Sequence, residues 1–363
     1  MQSAHIVREI TTPHSFRVAH VASLFDVPLQ EKTRHEWDVS LPLDEKPWHI
    51  GLIVGPSGCG KSTIARELWP EQYRRGYEWN EQSILDNFPK EMESRQVVAT
   101  LTSVGFSSPP DWVKPYAVLS TGQQMRCDLA RALCVDECVV FDEFTSVVDR
   151  TVAKIGSAAL AKAIRKQAGR QFIAVTCHED VVEWLTPDWT YEPHTNTFQW
   201  RFLQRPAIHL EIYRVHTQAW QLFGAHHYLS HDLPRSATCY VAEWEKKPVG
   251  FVAVLPVIGF KNAYRESRIV VLPDYQGIGI GTRLSACVAQ MYVNQGKRYR
   301  STTSHPGFIA HRNTSNTWSL VRVVRGNETP HGGVFSGANY SRQRCVATFE
   351  YVGTCAEEVS HAR

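Results

Sequence analysis

Gly55-Pro56-Ser57-Gly58-Cys59-Gly60-Lys61-Ser62-Thr63 is the stretch whose reading decides the first half of the chain. It fits G-x-x-x-x-G-K-[ST] throughout. Ahead of it Ile50, Leu52, Ile53 and Val54 form an apolar run that reads as a buried strand, and Thr63 to Leu68 reads as a helix start. A strand, a glycine-rich loop and a helix in that order turn backbone N–H groups toward one point, where the helix N-terminus adds positive potential. A phosphate chain fits such a point. Lys61 would reach its β- and γ-phosphates, and the Ser62 hydroxyl would sit on Mg²⁺. The plain alternative, a glycine turn with a surface lysine, does not account for the flanking strand and helix.

Working outward, residues 15–54 read as strands. Ser15–Phe25 carries Phe16, Val18, Val21 and Leu24, and Trp37, Val39 and Leu41 alternate with polar positions. Phe25 and Trp37 are candidates for stacking on a nucleotide base, with core packing the alternative for both. Downstream stands Leu119-Ser120-Thr121-Gly122-Gln123-Gln124, followed by Arg126, Leu129, Ala130, Arg131, Ala132 and Leu133. Cys138-Val139-Val140-Phe141-Asp142-Glu143 then reads as a buried strand that delivers two carboxylates to its C-terminal edge, where open α/β sheets bind ligands. Asp142 would hold Mg²⁺, directly or through water, and Glu143 would polarise the water that attacks the γ-phosphate. Phe172 to Cys177 is a further apolar strand, ending on His178.

These pieces occur in the order and rough spacing of the ABC-type ATPases, which the first half resembles. The family signature reads LSGGQ, and here Thr121 replaces the first glycine. The resemblance implies that Ser57 to Thr63 hold ATP, that His178 is the switch histidine, and that Asp149 is the aspartate after the carboxylate strand. It further implies a homodimer in which two ATP molecules are sandwiched, Ser120, Gly122 and Gln123 of one copy capping the γ-phosphate held by Lys61 of the other. Lys61 and Ser120 lie closer in sequence than is usual in the family. The insert that grips a transporter's membrane partner looks pruned, and the glutamine loop is hard to place. Gln82 is the candidate for it, as a further Mg²⁺ ligand. The likeness is therefore to soluble, non-transporter members.

Composition bounds the rest. A length of 363 residues suggests two domains, and an apolar share of 43% lets each bury a core. The net charge of +3 permits a nucleic-acid partner without arguing for one. No apolar run approaches the ~18 residues of a membrane span, and no signal pattern opens the chain. Nine scattered cysteines read as reduced thiols of a cytoplasmic protein. The expected architecture is α/β: a P-loop ATPase domain over 1–203 and an α+β domain over 204–363, docked without a flexible linker.

In the second half, Leu210 to Tyr228 reads as a helix or helix end bearing Trp220, Phe223, His226 and His227. With His231 these histidines invite a metal site, but neighbouring helix positions point about 100° apart and do not converge. Tyr240–Glu243 and Val249–Leu255 form a hairpin around Lys246-Lys247-Pro248, and Ser267 to Leu272 is another strand. Then comes Gln276-Gly277-Ile278-Gly279-Ile280-Gly281-Thr282, and a helix to about Gln295 with Leu284, Val288 and Met291 on its apolar face. This is a second cradle for an anion at a helix N-terminus. Gln276-x-x-Gly279-x-Gly281 among antiparallel strands resembles the acetyl-CoA motif of the GNAT acyltransferases, Gln/Arg-x-x-Gly-x-Gly/Ala, over roughly 205–355.

That resemblance implies that amides from Gly277 to Thr282 hold the pyrophosphate of acetyl-CoA or another acyl-CoA. The backbones of Val270 and Val271 would pair with the pantetheine arm like an added strand. Asn313 or Asn316, with Trp318, would correspond to the family's second motif. The base is not fixed by the pattern: Glu266 and His305 are the candidates, and Tyr275 or Tyr340 could donate the proton. Arg265, Arg268, Arg298, Arg300 and Arg312 gather in sequence here among Tyr264, Tyr275, Tyr299 and Trp318, a mix that suits nucleic acid, the CoA 3′-phosphate or an ordinary basic rim. Ser267 to Gly277 also looks like the phage Mom-type relatives, which modify adenine in DNA. The favoured function is an ATPase joined to an acyltransferase that acts on a nucleobase amine in DNA or RNA. The alternatives are a protein or small-molecule acyltransferase under ATP control, and a nucleic-acid-binding ATPase whose second domain only binds.

Overall fold

The computed structural model describes residues 2–29, 32–135, 137–227, 232–324 and 345–353. His231 and Tyr340 lie outside the described residues. In chain order, β1 (Gln2–Thr11), α1 (Phe16–Leu24) and β2 (Lys32–Leu41) precede β3 (Ile50–Val54), α2 (Lys61–Leu68) and β4 (Tyr73–Arg74). Next come α3 (Ser94–Ser103), α4 (Pro109–Trp112), α5 (Thr121–Val135), β5 (Cys138–Phe141), α6 (Arg150–Ile164), β6 (Gln171–Thr176), α7 (Val182–Leu185), β7 (Trp189–Glu192) and β8 (Thr197–Trp200). The C-terminal part runs β9 (Glu211–Val215), α8 (Trp220–Phe223), β10 (Thr238–Trp244), β11 (Lys247–Pro256), β12 (Ala263–Val271) and α9 (Ile280–Val293). It ends with β13 (Arg298–Thr303), α10 (Pro306–Thr314), β14 (Trp318–Val324) and β15 (Val346–Tyr351).

The chain forms two compact units that do not follow its linear order. The first is Met1–Tyr77, Val135–Val147 and Ile164–Arg205; the second is Glu78–Cys134, Val148–Ala163 and Pro206–Arg363. The helical segments 78–134 and 148–163, expected with the N-terminal half, thus group with the C-terminal part.

In the first unit a six-stranded sheet has the order β4-β5-β6-β3-β7-β8, parallel except for β8. All five residues of β3 are buried, as a central parallel strand covered on both faces must be. Because β6 lies between β5 and β3, the ends of all three strands share one sheet edge. That edge carries Asp142 and Glu143, His178, and the loop from Gly55 to Gly60. Asp188 fixes the start of β3, its Oδ2 accepting from the His49 and Ile50 amides at 2.8 Å each. Ser15–Phe25 is helical and not a strand. Val18, Val21 and Leu24 recur every third residue, and the Ser15 hydroxyl accepts from the Val18 amide at 3.2 Å as a cap.

In the second unit a seven-stranded sheet runs β14-β15-β13-β12-β11-β10-β9, antiparallel throughout except at β12 and β13. The hairpin turn is Glu245-Lys246, both at positive φ, one residue earlier than the expected Lys246 to Pro248. Strand β9 occupies part of the span expected to be helical, and only Trp220–Phe223 there is α-helix. On α9 the buried face is carried by Leu284, Val288 and Tyr292 at a spacing of four, which leaves Met291 exposed.

Gly51 on β3 lies under Trp189, and a Cβ there would stand 2.0 Å from the indole. Gly51→Ala is expected to cost about 1–3 kcal/mol by overpacking. Urea unfolding of the variant measures it, and an unchanged midpoint would remove Trp189 from the core of that sheet.

Candidate functional site

Around Lys61 the loop is built as a cradle. Gly60 has φ +97°, and a Cβ on it would lie 2.5 Å from the Trp37 ring, so only glycine both turns the chain and admits the indole. Trp37 donates from its indole nitrogen to the Cys59 carbonyl at 3.2 Å and is therefore a buttress of the loop. The other stacking candidate, Phe25, is 74% exposed. Lys61 is buried and folds back on its own loop, donating to the Gly55 and Pro56 carbonyls at 2.8 and 2.7 Å. Ser57 and Gly58 are exposed at the loop tip.

The carboxylates expected near the metal separate by environment. Asp142 is 2% exposed, and its Oδ1 accepts from the Ser62 hydroxyl at 3.0 Å. Its other oxygen accepts from the Tyr73 hydroxyl and from Arg75 Nε at 3.1 Å. Ser62 and Asp142 are thus the pair that fits Mg²⁺, a hard oxygen-seeking cation. Tyr73 and Arg75 were not marked by any motif; only the later placement of a short β4 beside β5 reveals them. Glu143 is exposed, sits at φ +53°, and accepts from the Ser146 hydroxyl at 2.7 Å. His178 is half-buried at the end of β6, its amide donating to Thr176 Oγ1 at 3.2 Å.

In the second unit, Ser120-Thr121-Gly122-Gln123 opens α5 as a capping box. The Gln123 amide donates to Ser120 Oγ at 3.3 Å, and the Ser120 amide donates to Gln123 Oε1 at 3.1 Å. Gly122 is buried beneath Val152, and Ser120 is exposed. Asp149 caps α6; the Thr151 amide donates to it at 2.8 Å and holds its carboxyl below the usual range. Gln82 lies in this unit, exposed, hydrogen-bonded to Asn80.

The acyl-donor candidate is shaped by a splay. Strands β12 and β13 pair in parallel from Ala263↔Arg298 to Glu266↔Ser301, and there the pairing stops while β12 continues to Val271 alongside β11. Val270 and Val271 lie on that free stretch, although the Val271 carbonyl already accepts from Gln276 Nε2 at 2.9 Å. Gly279 caps α9 at φ +96°, and a Cβ there would meet only Thr282 Oγ1, at 3.8 Å. Ile278 is buried, Thr282 Oγ1 donates to the Gly279 carbonyl at 2.9 Å, and Gly281 faces Val271 and Phe308. The helix N-terminus thus opens beside a strand edge, as an anion carrying an extended arm requires.

Glu266 does not have the setting of a base. It is buried at the apex of the splay, accepting from Ser285 Oγ at 2.6 Å, Ser301 Oγ at 2.7 Å and Arg312 Nη2 at 3.2 Å. With three donors already on it and only 7% of its surface exposed, this carboxylate is committed to the network and closed to an incoming amine. His305 fits better: it precedes α10, packs against Trp112 and Phe308, and its Nδ1 is buried without a hydrogen-bond partner. Burial pushes its pKa down, with the Ser107 backbone acting against it, so the ring is neutral at pH 7. Tyr275 is kept protonated by burial. The arginine cluster is partly offset: Arg298 and Arg300 share Glu350, Arg312 binds Glu266, and Arg268 donates to the neutral Ser267 and Asp232 carbonyls. His227 is buried against Trp220, and no cluster of three metal-ligating side chains occurs among the described residues.

The family profile described as the Acetyltransferase (GNAT) domain matches residues 235–314. Among solved structures, the chain is similar to a Bacillus subtilis acetyltransferase in complex with CoA, at 12% identity over 40% of this chain and 98% of that one, with TM-score 0.30. It is also similar to the ribosomal-protein-S18-alanine N-acetyltransferase from Escherichia coli, at 12% identity over 42% and 100%, TM-score 0.31. A third is an ATP-binding cassette in a dimeric post-hydrolysis state bound to ADP and Pi, at 14% identity over 48% and 95%, TM-score 0.38. No curated protein matches the sequence. Among the described residues no helix is long and apolar enough to cross a membrane.

Glu266→Ala would leave Arg312 buried and unpaired, at an expected cost of about 3–5 kcal/mol. A variant as stable as the parent but slow in turnover would return Glu266 to the role of base. Stability that depends on neutral His305 is complete above the unfolded value of 6.5 and declines as pH falls toward the depressed folded value. His305→Gln should flatten that decline in thermal melts between about pH 7 and 5. An unaltered profile would show that the ring titrates freely.

Proposed function

We propose that the chain couples an ABC-type ATPase, built on Lys61, Ser62, Asp142, Glu143 and His178, to a GNAT-type N-acyltransferase built on Val270, Val271 and Gln276 to Thr282. The observation that carries this reading is the splay of β12 from β13 beside the Gly279 helix start, within the segment that the GNAT profile matches. In the transfer step the lone pair of an acceptor amine attacks the thioester carbonyl of acyl-CoA. A C–N bond forms, the C–S bond breaks, and the thiolate leaves and takes a proton. Neutral His305 is the group suited to accept the amine proton, directly or through a water.

In the ATPase half, Ser62 and Asp142 would hold Mg²⁺, which supplies charge neutralisation at the phosphates. Lys61 would exchange its loop carbonyls for phosphate oxygens, and Glu143 would orient water. Ser120, Gly122 and Gln123 would cap the nucleotide of a second copy, which makes a homodimer the working form. Gln82 is retained as the glutamine-loop candidate, and the two parts are taken as 1–203 and 204–363 in sequence. The favoured acceptor is a nucleobase amine in DNA or RNA of the cytoplasm, supported by the likeness of Ser267 to Gly277 to Mom-type enzymes. A base must leave its stack to react, and an ATP-driven clamp would serve that.

The test is nucleoside mass spectrometry of DNA and RNA from cells expressing the chain, beside Gly279→Glu. That variant puts bulk and negative charge at the cradle and should weaken CoA binding more than tenfold, roughly 1.4 kcal/mol or more. An acyl mass on a nucleoside that vanishes in the variant is expected. Acylated protein or small amines with unmodified nucleosides would move the acceptor elsewhere, and unchanged CoA affinity in Gly279→Glu would remove the cradle.

A further inference from the structure

Arg126 is a cation inside a helix, about one and a half turns into α5 and 1% exposed. Its Nη1 donates to the Pro273 carbonyl at 2.8 Å, and its Nη2 donates to the Asp274 carbonyl at 3.2 Å. Burial pushes its pKa down to about 10, with the Asp274 charge acting against this, so it is protonated at neutral pH. An ion held so far from water at such cost has both prongs on the backbone that leads into Gln276 and Gly277.

Two further ties hold the same loop. The Ser107 amide, between α3 and α4, donates to Gln276 Oε1 at 3.0 Å. Gly277 meets Gly105 and Ala159 so closely that a Cβ on it would lie 2.6 Å from Gly105 Cα and 2.8 Å from Ala159 Cβ. The loop that begins the acyl-donor cradle is therefore seated on α5, on the α3–α4 connection and on α6. The first turn of that same α5 is the Ser120 to Gln123 capping box.

We propose that Arg126 is a positioning residue that couples the two ligands: the helix that caps the nucleotide at one end sets the geometry of the acyl-CoA cradle about one and a half turns along. This rests on the function proposed above. Loading of the nucleotide fixes α5, α5 fixes Pro273 and Asp274, and those carbonyls fix the approach to Gly277 and Gly279. By linkage the effect is reciprocal, so acyl-CoA must change nucleotide affinity by the same factor.

The experiment is calorimetric titration of the full chain with CoA, with and without saturating Mg·AMP-PNP, and of AMP-PNP with and without CoA. The expected result is a shift in CoA Kd of about fivefold or more, matched in the reverse titration. Arg126→Lys keeps the charge but cannot grip two carbonyls, and should bring the shift close to one while CoA alone binds more weakly, its cradle having lost that seat. Both ligands binding with no mutual effect would overturn the coupling and leave the proposed function intact. A shift retained in Arg126→Lys would overturn the role of Arg126. No CoA binding in any state would overturn the acyltransferase reading and the coupling with it. The titrations of the unaltered chain decide the coupling even if the variant does not fold.

Discussion

Two parallel strands that diverge leave unpaired backbone between them, and something must keep the gap from closing or flooding at its apex. Here it is the Glu266–Arg312 pair. Glu266 comes from β12, Ser301 from β13, Ser285 from α9 and Arg312 from α10, and all four are buried and mutually hydrogen-bonded. The guanidinium is also sandwiched over Trp318 at 4.3 Å and Phe308 at 4.9 Å. Such a network is satisfied as a unit or not at all, because either charge alone would be stranded in a low-dielectric interior. The open edge of β12, the start of α9 and the placement of α10 all follow from where this network holds their bases.

The glycine-rich loop of the first unit solves a related problem by internal exchange. Lys61 binds the carbonyls of Gly55 and Pro56, and Asp142 binds Ser62, Tyr73 and Arg75. Neither buried charge is left bare. A triphosphate and cation, if bound as proposed, would have to displace existing bonds, so the net affinity would be the difference between new contacts and those released. Glu143 adds a local cost of its own, being a non-glycine residue at φ +53°. That turn lets the chain leave β5 with Asp142 inward and Glu143 outward, so that adjacent carboxylates face different surroundings.

The local geometry was legible in sequence because a tight strand-to-helix turn forces a glycine pattern, and buried parallel strands force apolar runs. Gly55 to Thr63, Cys138 to Glu143 and Gln276 to Gly281 announce themselves for those reasons. What failed did so where the pattern is short or the partner is distant. Ser15–Phe25 offered too few turns to separate a period of three from one of two, and lone helix α1 lacks any buried residue to reinforce it. Tyr73, Arg75 and Arg126 are ordinary letters whose meaning comes only from residues far along the chain. Glu266 stood beside His305 as a candidate base because of its place on the strand, but position along a strand does not tell a solvent-facing carboxylate from one already paired. The helical segments 78–134 and 148–163 group with the C-terminal part through contacts such as Ser107 with Gln276, which no linear boundary expresses.

The arginines bear on the acceptor in the same way. In sequence, Arg298, Arg300 and Arg312 look like a positive surface; in space, Glu350 and Glu266 offset two of those three charges. Glu350 is held below the usual carboxylate range by Arg298 first and Arg300 second, so it stays ionised wherever the arginines do. A nucleic-acid substrate gains affinity from counterions displaced by free cations, and a paired cation displaces none. The net charge of +3 leaves little general attraction to make up the difference. If the acceptor is a nucleobase, its capture must then come less from a basic surface than from enclosure. The proposed ATPase would then matter to capture, because a clamp closing around a strand would supply by topology the residence that charge does not.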